Sequence, residues 1–164
     1  MLNRGEFAGL TAAGAATSLA TLSALAPAAG TITYHSRASS LVPGEARVAI
    51  SLPPGYDADR TEPYPLLLLL HGGNGSEKDL AVFKDVFDRE IAAGRLPPLV
   101  IATPTGRRSL YMDFRDGSER WESFVLSDVL PFVRRSAHVS QGREHSFIGG
   151  WAMGGLGCLR IAFK

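Results

Sequence analysis

Phe147-Ile148-Gly149-Gly150-Trp151-Ala152-Met153-Gly154-Gly155 decides how this chain folds. The segment has the form G-x-S-x-G, the nucleophile elbow, except that Ala152 stands where the serine belongs. In that motif a strand turns abruptly into a helix, and the central side chain is exposed on a strained backbone. Residues two before and two after the centre must be small, because neighbouring backbone closes on them. Gly150 and Gly154 meet that demand, and Gly149, Gly155 and Gly157 add room. Residues 146–149 suit the strand, and 153–164, with Leu156, Leu159, Ile161 and Phe163, read as the helix. A glycine-rich helix start that packs tightly or cradles a phosphate is the competing reading. It is disfavoured, because no Lys-Ser/Thr pair follows and the G-x-G-x-x-G spacing is absent.

About eighty residues upstream lies a second motif. Leu66 to Leu70 is an unbroken apolar run after Pro65, which suits a parallel strand buried on both faces. It runs straight into His71-Gly72-Gly73-Asn74-Gly75. A glycine-rich loop at a strand's end can aim main-chain N–H groups at developing negative charge and let a carbonyl approach closely. The expected donors are the amides of Gly73 and Met153, with His71 and Gly72 supporting the loop.

The remaining elements alternate. Residues 31–39 and 47–52 read as strands, with Pro43-Gly44 turning between them. Ser76-Glu77-Lys78-Asp79 resembles a capping box opening a helix with Leu80, Phe83 and Phe87 on one face and Gly94 ending it. Residues 99–102 form the next buried strand, and 103–119 a long polar loop. Trp121, Phe124, Val125, Val129, Phe132 and Val133 make a stripe at helical spacing, in which Pro131 should kink the helix or shift its start. The series predicts an α/β fold, a mostly parallel sheet flanked by helices.

These segments resemble the putative-esterase family of α/β-hydrolases, which includes S-formylglutathione hydrolases, feruloyl and acetylxylan esterases, siderophore esterases and mycolyltransferases. The resemblance rests on Leu52-Pro53-Pro54-Gly55-Tyr56-Asp57, Leu68-Leu69-Leu70-His71-Gly72-Gly73, Trp121-Glu122-Ser123-Phe124, Leu130-Pro131-Phe132-Val133 and Gly150 through Gly157. It implies the N-terminal portion of an α/β-hydrolase fold, with the chemistry of a serine carboxylic-ester hydrolase acting through an acyl-enzyme. The chain departs from the family at Ala152, at the nucleophile position. It also ends a dozen residues after the elbow, whereas the acid and the histidine of such a triad follow the serine in chain order. The expectation is therefore a partial domain over residues 29–164 that is inactive as written. The alternative is a non-catalytic protein that binds an ester or carbohydrate on the same scaffold.

None of the four histidines falls where the resemblance puts the catalytic base. His71 is expected to orient the oxyanion loop, His138 and His145 to sit on a solvated connection, and His35 lies near the N-terminus. In the 105–119 loop, at the carboxyl end of a strand, Tyr111 and Asp113 are candidates to line a substrate pocket, with Trp151 a weaker one. A solvated loop with local charge pairing is the plainer reading of that segment. Cys158 is expected to be a small buried hydrophobe.

Residues 1–28 read as a signal peptide. Arg4 precedes an apolar stretch rich in Ala, Thr and Leu, and Ala26-Pro27-Ala28 fits the cleavage pattern. Arg4-Gly5-Glu6-Phe7 is twin-arginine-like with its second arginine replaced. Secretion or a periplasmic location follows, with no stable membrane span after cleavage. A net charge of +1 gives no electrostatic case for nucleic acid. No Cys/His cluster has metal-ligand spacing, and no cofactor is implied. The expected ligand is a small-molecule or glycan-linked ester. A hydrophobic sheet edge at 146–149 would invite self-association.

Overall fold

A computed structural model describes residues 29–163. The expected signal peptide at 1–28 lies outside the described residues.

Five strands form one mixed sheet in the order β1-β2-β4-β3-β5. β1 (Thr31–Arg37) and β2 (Ala46–Leu52) pair antiparallel, and β2 pairs antiparallel with β4 (Val100–Pro104). β3 (Leu66–Leu70) then runs parallel to both β4 and β5 (Ser146–Gly150). The antiparallel half is the hairpin-like entry of the chain, and the parallel half comes from the two crossovers that carry the helices.

Burial follows this order. β4 is buried at every position, as a central strand covered on both faces should be. β3 buries Leu66, Leu68 and Leu70 and covers Leu67 and Leu69 only in part, because one face is covered more thickly than the other. On the thick face Val48, Ile50, Leu66, Leu68, Leu70, Val100 and Ala102 pack against Trp121, Phe124, Val125, Val129 and Val133. On the thin face Ala49, Ile101 and Leu80 form a smaller cluster, flanked by Leu67, Leu69, Phe87 and Ile91.

Helix α1 (Leu80–Ala92) covers the thin face and stops where Gly94 takes a left-handed φ of +69°. The expected capping box opens a 3₁₀ turn ahead of the helix instead. Ser76 Oγ accepts the N–H of Lys78 at 3.2 Å within Glu77–Asp79, and the α-helix follows uncapped by any side chain. Ser76 is therefore the cap of the turn that aims α1, not of α1 itself.

The helical stripe starting at Trp121 is continuous but not uniform. α2 (Trp121–Ser123) passes into a π-helical stretch (Phe124–Val129) and then α3 (Leu130–Ser136), with Pro131 in its first turn. Proline lacks an N–H, and its ring collides with the carbonyl one turn back. Widening the preceding turns to the π spacing removes that collision while keeping Phe124, Val125 and Val129 on the sheet. Helix α4 (Met153–Ala162) closes the described chain beside β5 and β3.

Candidate active site

The turn between β5 and α4 is built by glycines. Ala152 sits at φ +50° and ψ −117°, a conformation that L-residues avoid. A side chain at Gly154 would lie 2.1 Å from the carbonyl oxygen of Leu70, and one at Gly150 would lie 2.7 Å from the same atom. The helix start is thus pressed directly on the end of β3. Trp151 is half-buried and packs on Phe83 of α1 at 4.9 Å between ring centroids, which pins the turn to the opposite layer.

The loop after β3 meets this turn. A Cβ placed on Gly72 would stand 3.8 Å from Cβ of Ala152 and 2.9 Å from Nε1 of Trp151, and one on Gly73 would stand 3.9 Å from Cβ of Met153. Position 152, Gly72, Gly73 and Met153 are therefore neighbours, although they come from segments far apart in the chain. The loop is tied by Gly75 N–H donating to Gly72 O at 3.0 Å. Asn74 on its tip accepts from the Arg108 guanidinium.

His71 is fully buried. Its main-chain N–H donates to the Tyr111 hydroxyl at 3.1 Å, and Nδ1 lies 2.7 Å from Gly72 O, as a donor to that carbonyl. Nε2 has no hydrogen-bond partner among the described residues. The other histidines lie elsewhere. His35 stands on β1 with its ring against Phe132 at 5.1 Å. His138 and His145 lie at the amino ends of β3 and β5, opposite the turn.

The three residues of the proposed pocket wall divide. Trp151 belongs to the turn. Tyr111 has no exposed surface, and its hydroxyl is held under the loop; burial pushes its pKa well up. Sequence periodicity held no signal for this, because Tyr111 lies in an irregular loop at φ +51°. Cys158 is half-buried on α4, and burial raises its thiol pKa.

Asp113 acts on a helix end. Its carboxylate accepts the Ser123 N–H at 3.0 Å and the Ser123 hydroxyl at 2.5 Å, capping the first turn of α2 from a distant loop. Burial raises its pKa, but the bonds from Ser123 and Glu122, with Arg120 nearby, more than offset this and hold it below the usual carboxylate value. A carboxylate with a depressed folded pKa stabilises the fold above its unfolded pKa, and that contribution disappears as pH falls through the folded value. Asp113→Ala is expected to cost about 1 kcal/mol near neutral pH, the usual worth of a cap. The gap from the parent should close below about pH 4 in urea titrations run at several pH values. A gap of constant size would show that the charge is not what caps the helix.

Among the described residues no group of His, Cys, Asp and Glu is placed to hold a metal ion, and no helix is long and apolar enough to cross a membrane.

Comparison with known proteins agrees with this geometry. Residues 39–164 match the family described as "Putative esterase". An esterase of Mycobacterium tuberculosis is 29% identical over 136 residues, which span 80% of this chain and 29% of that protein. An acetyl esterase of Caldicellulosiruptor saccharolyticus is 32% identical over 98 residues, 60% of this chain and 35% of the relative. Among solved structures, a ferulic acid esterase superposes with a TM-score of 0.70 at 27% identity, covering 79% of this chain and 51% of its own. A Ser-to-Ala mutant of the feruloyl esterase module from Clostridium thermocellum, complexed with sinapinate, gives 0.63 at 25% identity, covering 77% and 46%. The chain thus spans about a third of these curated relatives and about half of these solved structures.

Proposed function

The chain belongs to the Putative esterase family, and on that premise we propose that it presents the acyl-binding part of a serine esterase whose nucleophile position is occupied by an inert methyl group. Its scaffold is that of a carboxylic-ester hydrolase. In the serine form, the hydroxyl oxygen would attack the ester carbonyl while a histidine takes its proton. The carbonyl oxygen, now negative, would be held by the N–H groups of Gly73 and Met153. The acyl-enzyme would then be released to water or to an alcohol. Alanine has no lone pair to donate, so the first step cannot occur at Ala152.

One observation carries this reading. Ala152 keeps the positive-φ backbone of an elbow, at a cost of about 1–2 kcal/mol for a residue with a Cβ. Nothing in an alanine side chain requires that conformation. The geometry belongs to a turn organised to display whatever occupies position 152, next to two loop glycines. The test is Ala152→Ser in a reading frame extended past Lys164, assayed on p-nitrophenyl acetate. Hydrolysis supports the esterase scaffold.

A second reading is a non-catalytic binder of an ester or carbohydrate. The sinapinate complex of a Ser-to-Ala feruloyl esterase module favours it, since a related cleft holds a phenolic acid with alanine substituted for a serine. Inactivity of the Ala152→Ser protein, with ferulate or sinapinate still quenching Trp151 fluorescence, supports this reading over the first. Export, read from residues 1–28, belongs to the same proposal.

Self-association is also proposed. β5 ends the sheet among the described residues, and its Phe147 is 52% exposed. A groove of about 440 Å³ lined by Leu66, Leu130, Phe147 and Ile161 runs beside it. A strand edge without charge or proline is a template for pairing with a second copy. Phe147→Glu is expected to shift residues 29–164 toward monomer in sedimentation velocity across a concentration series. A parent chain that stays monomeric throughout would refute the idea.

A further inference from the structure

Tyr111 reaches both segments that meet at position 152. Its loop makes an unusual turn, with Leu110 at φ +56° and Tyr111 at φ +51°. Buried Ser109 braces it, donating from Oγ to Gly106 O at 2.6 Å and accepting the Tyr111 N–H at 3.1 Å. The ring lies over Gly106, where an added Cβ would be 2.5 Å from Cζ. Its other side bears on Gly157 of α4, where an added Cβ would be 2.8 Å from Cδ2. At the far end, the hydroxyl accepts the His71 N–H at 3.1 Å, and the ring meets the imidazole edge-on at 5.8 Å.

The sequence spacing makes these contacts consequential. Gly73 lies two residues beyond the amide that the hydroxyl holds. Met153 lies one helical turn before the glycine that the ring touches. Each amide is therefore only a few residues from an end of the same side chain. We propose that Tyr111 is a positioning residue, a strut that sets the gap between the Gly73 and Met153 amides. This rests on reading those two amides as the oxyanion donors. A phenol suits the task because its length is fixed, and because the ring is fully buried between Gly106 and Gly157. The hydroxyl's raised pKa keeps it protonated over the working pH range.

The test begins with the chain as written, where no turnover is needed. Amide ¹H–¹⁵N shifts of Gly73 and Met153 are compared in the parent, Tyr111→Phe, Gly157→Ala and the double variant. Gly157→Ala should move the Gly73 resonance as well as that of Met153, because the ring transmits the push. In the Tyr111→Phe background that response of Gly73 should fall by at least about half, a non-additivity expected of residues in one contact chain. A Gly73 resonance indifferent to Gly157→Ala in both backgrounds overturns the strut. In the Ala152→Ser protein, Tyr111→Phe should lower kcat roughly tenfold while KM stays within about twofold, as for a loss confined to the transition state. A raised KM at constant kcat overturns it too. Coupled amides in a protein that never hydrolyses esters would leave the strut standing and refute the esterase reading instead.

Discussion

Ala152→Ser, made in a frame extended past Lys164, is expected to raise ester turnover by on the order of 10⁶ over the Ala152 protein. That is the scale lost when a serine nucleophile is removed from a triad in a well-studied protease. The same substitution in residues 29–164 alone is expected to change little. An oxyanion hole and binding by themselves still give roughly 10³–10⁴ over water, and on the proposed reading the Gly73 and Met153 amides would supply that part with alanine in place too. The difference lies in the proton acceptor. His35 is across the sheet on β1, and His138 and His145 lie at its other end. The ring of His71 is buried, with Nδ1 committed to Gly72 O. A hydroxyl at position 152 would thus meet no free imidazole among the described residues, and on the proposed esterase reading the base would come after position 152 in triad order. Kinetics with p-nitrophenyl acetate on both proteins separate the cases. A large gain in the short chain would point to His71 as a base and undo this account of it.

Gly154→Ala should have the largest effect on stability. The added methyl carbon would stand 2.1 Å from Leu70 O, 2.6 Å from Leu70 C and 2.9 Å from His71 O. These are main-chain atoms of a central strand, so no rotamer change relieves the contact. Overpacking in cores typically costs 1–3 kcal/mol, and a clash of backbone with backbone belongs at or above the top of that range, about 3 kcal/mol. For a domain of this size that lowers Tm by roughly 10 °C. Gly155→Ala is the control, because its nearest contact would be 3.6 Å, ordinary van der Waals distance. Circular dichroism melts of the two variants test the idea, and equal melting temperatures would contradict it.

Much of the frame was legible beforehand, because strong local signals agreed with one another. Leu66 to Leu70 suits a buried strand and forms one, and Gly150 and Gly154 flank a position that folds as the motif demands. Pro131 announced a disturbance, and the structure resolves it as a π stretch rather than a kink. What escaped the sequence was the role of side chains in loops. Tyr111 and Asp113 stand at the carboxyl end of the sheet, where pocket walls are expected. One is sunk beneath the loop it holds, and the other caps a helix. Such roles depend on long-range partners and on left-handed backbone at non-glycine positions, and no periodicity encodes either. The signal nearest to them was glycine itself. Gly106 and Gly157 are empty where the Tyr111 ring needs space.

The tight seat of α4 on β3 gives the turn a memory. Any side chain at 150 or 154 would have to displace main chain, whereas the methyl at 152 already tolerates its conformation. Alanine and serine codons differ by a single base, so a lineage bearing this turn lies one transversion away from the hydroxyl form. Drift that spared the two glycines would leave that route open in both directions.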